Sequence, residues 1–172
     1  IIAKEFTVEN VARVSEATGK WLLKNYDKPT VFVGHDCRFA GALFMETSVK
    51  VFLSLGLNVR MSEGFVSTPM VSLAANRFNC QVGVVLTASH NPPSYNGYKL
   101  KADFGGPLAP AHVQEVEDLI ANTCEINLEE INLDDFKAKG KRQVDDIETM
   151  YVDQGKANCE LQAIQNSNMN LI

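Results

Sequence analysis

The sequence predicts an α/β fold: a three-layer α/β/α sandwich around a mostly parallel mixed sheet. Three observations carry that prediction. Strand-like and helix-like segments alternate from about residue 7 to residue 122. The helical segments are long enough to cross over between parallel strands, which a tight turn cannot do. One late segment, "YKLKADFGG", alternates in polarity and reads as an antiparallel partner added to the parallel set.

Each element has its own signal. In "TVENVARVSEATGKWLLKN", Val8, Val11, Val14, Ala17 and Trp21 recur at helical spacing behind Thr7, an N-cap. "TVFVGHD" is a short β-branched run ended by Gly34. "FAGALFMETSVKVFLSLG" is helical, with Gly56 at the C′ position. "LNVRMSEG" is the second strand. "STPMVSLAANRFN" is the third helix, capped by Ser67 or Thr68 with Pro69 near its first position. "QVGVVLTA" is the third and most apolar strand, and "APAHVQEVEDLIANT" the fourth helix. The apolar helix stripes, Trp21 and the phenylalanines are assigned to the core.

After about residue 125 the text turns polar, with charge clusters and few large apolar residues. The organisation read from this is a domain over 1–125, a surface connector over 126–148, and the start of a second domain over 149–172. The last segment begins a helix, and its closing "MNLI" reads as the first residues of a strand.

Bulk properties narrow the function. With 16 Lys and Arg against 21 Asp and Glu, the formal charge of -5 argues against nucleic acid as the main partner. Local basic groups can still hold a small phosphorylated ligand. The four cysteines are widely spaced with no CxxC pair, so they read as free thiols in a reducing cytoplasm, not as a zinc site or a disulfide framework. No apolar run reaches membrane-spanning length and no signal peptide opens the chain. A first residue Ile1 without a methionine reads as an excised piece.

The chemistry concentrates in "VGVVLTASHNPPSYNGYK", residues 82–99. Ligands in open α/β sheets bind beyond the carboxyl ends of the strands, which is where Ser89 stands. Three roles fit a serine there. An esterase-type nucleophile is disfavoured, because adjacent His90 points away from Ser89 on extended backbone and no G-x-S-x-G elbow surrounds it. A local turn hydrogen bond before Asn91-Pro92 is the structural alternative. The third role is a phosphate carrier. Pro92 and Pro93 stiffen the perch, turn N–H groups can donate to phosphate oxygens, and His90 can donate a hydrogen bond. Lys99, ten positions after Ser89, returns past the loop. It can neutralise phosphate, or act as general acid/base if burial lowers its pKa. Asn96 keeps a plain turn reading.

"TASHNPPSYNGYK" resembles the phosphoserine loop of the α-D-phosphohexomutases, the phosphoglucomutase/phosphomannomutase family, and "VGHDCRFAG" (33–41) resembles that family's G-x-D-x-R segment. The resemblance implies the fold of the family's domain I. It implies Ser89 as the phosphorylated catalytic serine, His90 as an aid at the phosphate and Lys99 as general acid/base, with Thr87 and Asn91 in the loop. The implied reaction interconverts hexose 1- and 6-phosphates through a hexose bisphosphate. Asp36 and Arg38 match the G-x-D-x-R pattern, as either an ion pair bracing the strand end or direct participants. Magnesium is implied on a phosphoserine oxygen, its other ligands in a D-G-D-x-D-R loop that this string lacks. Asp145-Asp146 is the nearest look-alike and reads as solvated connector charge. The G-T-x-G-x-R-G and sugar-recognition segments are also absent, so the chain is expected to be one domain and the opening of a second, inactive alone. A phosphoglucosamine-type mutase and a non-catalytic phosphosugar-sensing domain are the alternatives. Which hexose, and what oligomer, are left open.

Overall fold

In the computed structural model, which describes residues 1–167, helices and strands alternate through the first 102 residues. They run α1 Val8–Asn25, β1 Thr30–His35, α2 Gly41–Ser54, β2 Asn58–Ser62, α3 Thr68–Arg77, β3 Val82–Leu86 and β4 Tyr98–Ala102. After them come α4 Pro110–Glu117, a single 3-10 turn at Leu128–Glu130, α5 Leu133–Ala138, β5 Arg142–Asp145, α6 Ile147–Asn158 and α7 Leu161–Gln165. The strand expected at "MNLI" lies outside the described residues. No helix among them is long and apolar enough to cross a membrane.

Local signals operate as expected at both ends of the early helices. The Thr7 side chain accepts from the Asn10 amide at 3.2 Å, and Gly56 takes the left-handed conformation (φ 88°) that closes α2. Gly34 differs: it does not end β1 but lies inside it, under Val66, where a Cβ would come within 2.5 Å of a methyl carbon.

The sheet order is β4-β3-β1-β2-β5, parallel except for β4, which pairs antiparallel with β3. Alternate residues of the central strands feed two cores. Val31, Val33, Val82, Val84 and Leu86 pack with Trp21, Leu22, Val49 and Phe52 of α1 and α2. Phe32 and Val85 face the other way, onto Met70, Val71 and Ala74 of α3 and Ile147 of α6. This is the three-layer sandwich. Burying each such side chain contributes about 1.5–3 kcal/mol.

Three readings need correction. Phe39, Phe65 and Phe104 are not core residues, being 77%, 66% and 70% exposed. The fourth helix stops at Glu117, short of Thr123. The stretch 126–148 is more than a surface connector, because Arg142–Asp145 adds a fifth strand beside β2. Asp145 is accordingly not solvated connector charge: its carboxylate accepts from Arg60 Nε and Nη2 at 3.0 and 2.5 Å. Arg60 in turn lies 3.7 Å over the Phe78 ring. Asp146 caps α6 by accepting from the Thr149 amide at 3.0 Å.

The expected core role of Trp21 holds, and its one polar atom has a partner. Its indole N–H donates to Glu115 Oε2 at 2.6 Å, tying α1 to α4. That bond, with a smaller contribution from His112, holds the Glu115 carboxyl below its ordinary value of 4.5. A depressed folded-state value gives stability that is fully present above pH 4.5 and is lost as pH falls through the folded value. Glu115→Gln keeps an acceptor but cannot titrate. Urea midpoints read from the fluorescence of the single tryptophan should fall less steeply below pH 4.5 in that variant than in the parent; parallel curves would remove Glu115 from the acid response.

Candidate active site

Strand order reverses between β1 and β3, because α2 carries the chain from β1 to β2 on one side and α3 returns it to β3 on the other. Connections leaving opposite faces open a crevice at that point. The loop after β1 (36–40) and the loop after β3 (87–97) meet there, which brings together residues 51 positions apart.

The later loop is two tight turns. Asn91 donates its amide and its Nδ2 to the Ala88 carbonyl, both at 3.0 Å, and the Tyr95 amide donates to Pro92 at 3.0 Å. The pairing of β3 and β4 extends through the Thr87 amide, which donates to the Gly97 carbonyl at 3.0 Å. Asn96 has the expected turn role, accepting from the Gly97 amide at 2.8 Å.

Ser89 sits at the exposed tip in the left-handed region, φ 54°. For a residue with a Cβ that conformation costs about 1–2 kcal/mol, so neighbouring contacts must hold it. The Ser89 amide donates to Thr87 Oγ1 at 3.1 Å, and Thr87 Oγ1 donates to Asp36 Oδ2 at 2.5 Å. Thr87 is buried beneath the loop and Asn91 closes its first turn, so both build the perch. The Ser89 and Asn91 amides are thereby occupied inside the loop.

Arg38 reaches across from the other loop. Its Nη2 donates to the carbonyls of Ser89 and Asn91 at 2.8 and 2.7 Å, and its Nη1 to those of Pro92 and Tyr95 at 2.8 and 3.1 Å. Asp36 accepts from the Arg38 amide at 3.0 Å and lies 3.3 Å from Arg38 Nε. The Asp36–Arg38 pair makes the contact a brace requires, and the four carbonyl contacts of Arg38 lie outside it.

Lys99, paired with Val85 in the β3–β4 register, brings Nζ to 2.5 Å from Ser89 Oγ. It does so while exposed, so the burial attached to its acid/base role has to come from groups other than the described residues. Its strand is fixed from the opposite face. The Tyr98 hydroxyl lies 3.2 Å from Ser15 Oγ, which donates to Ser48 Oγ at 3.0 Å. Burial pushes the Tyr98 phenol up to about 12. This hydroxyl cluster joins β4 to α1 and α2, and nothing in the sequence marks it. His90 is exposed beside Ser89.

The donors present do not compose a magnesium site. Among the described residues no group of three or more His, Cys, Asp and Glu converges. The Asp36 carboxylate beneath the loop has both oxygens engaged by Arg38 and Thr87. A phosphate on Ser89 would supply an oxygen ligand, and the set would need completing from elsewhere.

Comparison with known proteins adds to this geometry. Residues 1–126 match the model of the phosphoglucomutase/phosphomannomutase α/β/α domain I. The chain is 31% identical over 166 residues to a phosphoglucomutase/phosphomannomutase of Thermococcus kodakarensis, covering 96% of this chain and 35% of that protein. It is 34% identical over 117 residues to a phosphoglucosamine mutase of Geobacillus thermodenitrificans, covering 68% and 26% of the two. A crystal structure of a protein assigned as a phosphomannomutase from Thermus thermophilus superposes with a TM-score of 0.82 at 33% identity, covering 94% of this chain and 34% of that one. The chain thus spans roughly a quarter to a third of the length of these relatives.

Gly97 offers a direct test of how tightly the loop is seated. A Cβ there would come within 2.8 Å of the Thr87 carbonyl oxygen, a backbone atom held in the sheet. Gly97→Ala should therefore destabilise the fold by about 1–3 kcal/mol, the scale of overpacking, measurable by chemical denaturation. An unchanged midpoint would mean that the loop yields freely.

Proposed function

The chain belongs to the phosphoglucomutase/phosphomannomutase family, and on that premise we propose that it carries the phosphoserine of a hexose phosphate mutase, with Ser89 as the phosphoryl carrier. The observation that carries this reading is the 2.5 Å contact between Lys99 Nζ and Ser89 Oγ on a strained, exposed perch.

In the forward step the bond between Ser89 Oγ and phosphorus breaks as a sugar hydroxyl forms its own bond to that phosphorus. The hydroxyl gives up its proton to solvent, and Ser89 Oγ takes one from Lys99. The sugar leaves this step as a bisphosphate. In the return step Lys99 removes the Ser89 proton as Oγ attacks the other phosphate of the bisphosphate; the bond from that phosphorus to the sugar oxygen breaks, and the sugar oxygen takes a proton from solvent as the monophosphate leaves. Phosphoryl transfer asks mainly for positioning and charge neutralisation. Lys99 supplies both beside Oγ, and His90 assists at the phosphate. Magnesium is assigned to a phosphoserine oxygen with its remaining ligands outside this chain. In this reading residues 1–125, with β5 and the start of α6 joined to their sheet and core, form the catalytic serine's domain, and the residues after them open the next. A cytoplasmic location fits substrates of this class.

The relatives named phosphoglucosamine mutase support a second substrate reading, in which an amino sugar phosphate replaces glucose or mannose. Assaying glucose, mannose and glucosamine 1-phosphates side by side on the full-length protein discriminates between them. The amine held against the serine oxygen favours the enzyme over a purely phosphate-sensing domain.

Two outcomes test the carrier role. Peptide mapping of the native full-length protein should find phosphate on Ser89, and Ser89→Ala should abolish turnover; phosphate on another serine with an active Ser89→Ala variant would end the proposal. Lys99→Arg preserves charge but cannot readily give up a proton. Turnover should fall roughly 100-fold or more, the scale of general acid–base catalysis, whereas near-parental rates would leave Lys99 a charge-only role.

A further inference from the structure

The guanidinium of Arg38 makes contacts that neither a brace nor a phosphate ligand requires. Its two terminal nitrogens contact four carbonyls of one loop, those of Ser89, Asn91, Pro92 and Tyr95. Four carbonyl dipoles converging on one point repel one another unless a cation with several fixed donors fills the space. A planar guanidinium has that fork of donors, while an ammonium is a single point with three. Each donor spent on a carbonyl is unavailable to a phosphate. The Arg38 side chain is also only 11% exposed, so little of it faces an incoming ligand.

We propose that Arg38 is a positioning residue that holds Ser89 in its left-handed perch by capping these four carbonyls, and that it does not bind the substrate's phosphate. The Ser89 carbonyl is one of the four, so the cap acts on the strained residue itself. Asp36 completes the arrangement. It pairs with Arg38 on one side and accepts from Thr87 on the other, and Thr87 holds the Ser89 amide. Ser89 is thus fixed at its N–H through Thr87 and at its carbonyl through Arg38, leaving Oγ as the part free to react. This inference rests on the carrier role of Ser89 for its consequence in turnover, but not for the loop's geometry.

The test uses Arg38→Lys and Arg38→Gln in the full-length protein, with amide hydrogen exchange and steady-state kinetics read together. Exchange of the non-proline amides between residues 89 and 97 should rise roughly tenfold or more in both variants, as expected when several hydrogen bonds are lost. Amides of β3 should keep their protection. With glucose 1-phosphate as substrate, kcat should fall roughly 10- to 100-fold from misplacement of the serine, with KM unchanged. A raised KM with unchanged loop exchange would overturn the proposal and make Arg38 a substrate ligand. Unchanged exchange and kinetics in the lysine variant would overturn it as well, since any cation would then serve. Variants that do not fold would make Arg38 part of the fold's support and equally end the proposal. If the protein turns over no sugar phosphate at all, the exchange measurement still decides the loop's dependence on Arg38, so failure of the carrier reading and failure of this one are told apart.

Discussion

β1 from Val31 and all of β3 have no exposed residue, and the architecture follows from that constraint. A strand covered on both faces needs helices above and below, so successive crossovers must leave on opposite sides. With β1 central, α2 and α3 take opposite faces and lead away to β2 and β3 on opposite edges. The crevice between the carboxyl ends of β1 and β3 is a by-product of burying these strands.

That origin explains how a loop can be both exposed and rigid. Ser89 is exposed, so it is not held by packing. What replaces packing is hydrogen bonding to buried or half-buried groups from a neighbouring connection, with Thr87 and Asp36 beneath and Arg38 alongside. These bonds are charge-assisted at Asp36 and Arg38, a stronger class than neutral pairs, at about 1.5–3 kcal/mol each. One or two of them offset the roughly 1–2 kcal/mol of left-handed backbone at Ser89. A glycine would adopt φ 54° without cost but has no hydroxyl, so in the carrier reading the strain is the consequence of needing a serine at that turn.

The sequence reveals this architecture unevenly, for physical reasons. Strands β1 and β3 are legible because full burial writes itself as continuous apolar text, whereas β2 (NVRMS) alternates half-buried polar with buried residues. β5 is not legible: its four residues hold a single apolar side chain, Val144, and it is recruited by Arg60 pairing with Asp145 across the sheet edge. The loop was legible as a site because serine, histidine, asparagine and lysine crowd around two prolines. Its partners were less so. Nothing local in "HDCR" announces four carbonyls 51 to 57 positions away. Only the strand order, which puts the loops after β1 and β3 side by side, makes that contact predictable. The exposed Phe39 and Phe65 misled for the opposite reason, since an aromatic residue at a strand end looks like core whether or not anything covers it.

The exposure of the site also limits what these residues can do chemically. Ser89, His90 and Lys99 all lie open to solvent. A phosphate held there would be hydrated on most of its surface, and water would compete with a sugar hydroxyl as the acceptor. Lys99 cannot discriminate between them, because it serves the serine oxygen, which is common to transfer and to hydrolysis. Selectivity for a sugar therefore has to come from groups that orient the hydroxyl and exclude water, and positioning of that kind is worth about 7–11 kcal/mol in favourable cases. Read as a phosphate carrier, the loop serves the half of the reaction that hydrolysis and transfer share: presenting a phosphoryl group and returning a proton. In the mutase reading, the half that separates them has to be supplied by whatever closes over the crevice between β1 and β3.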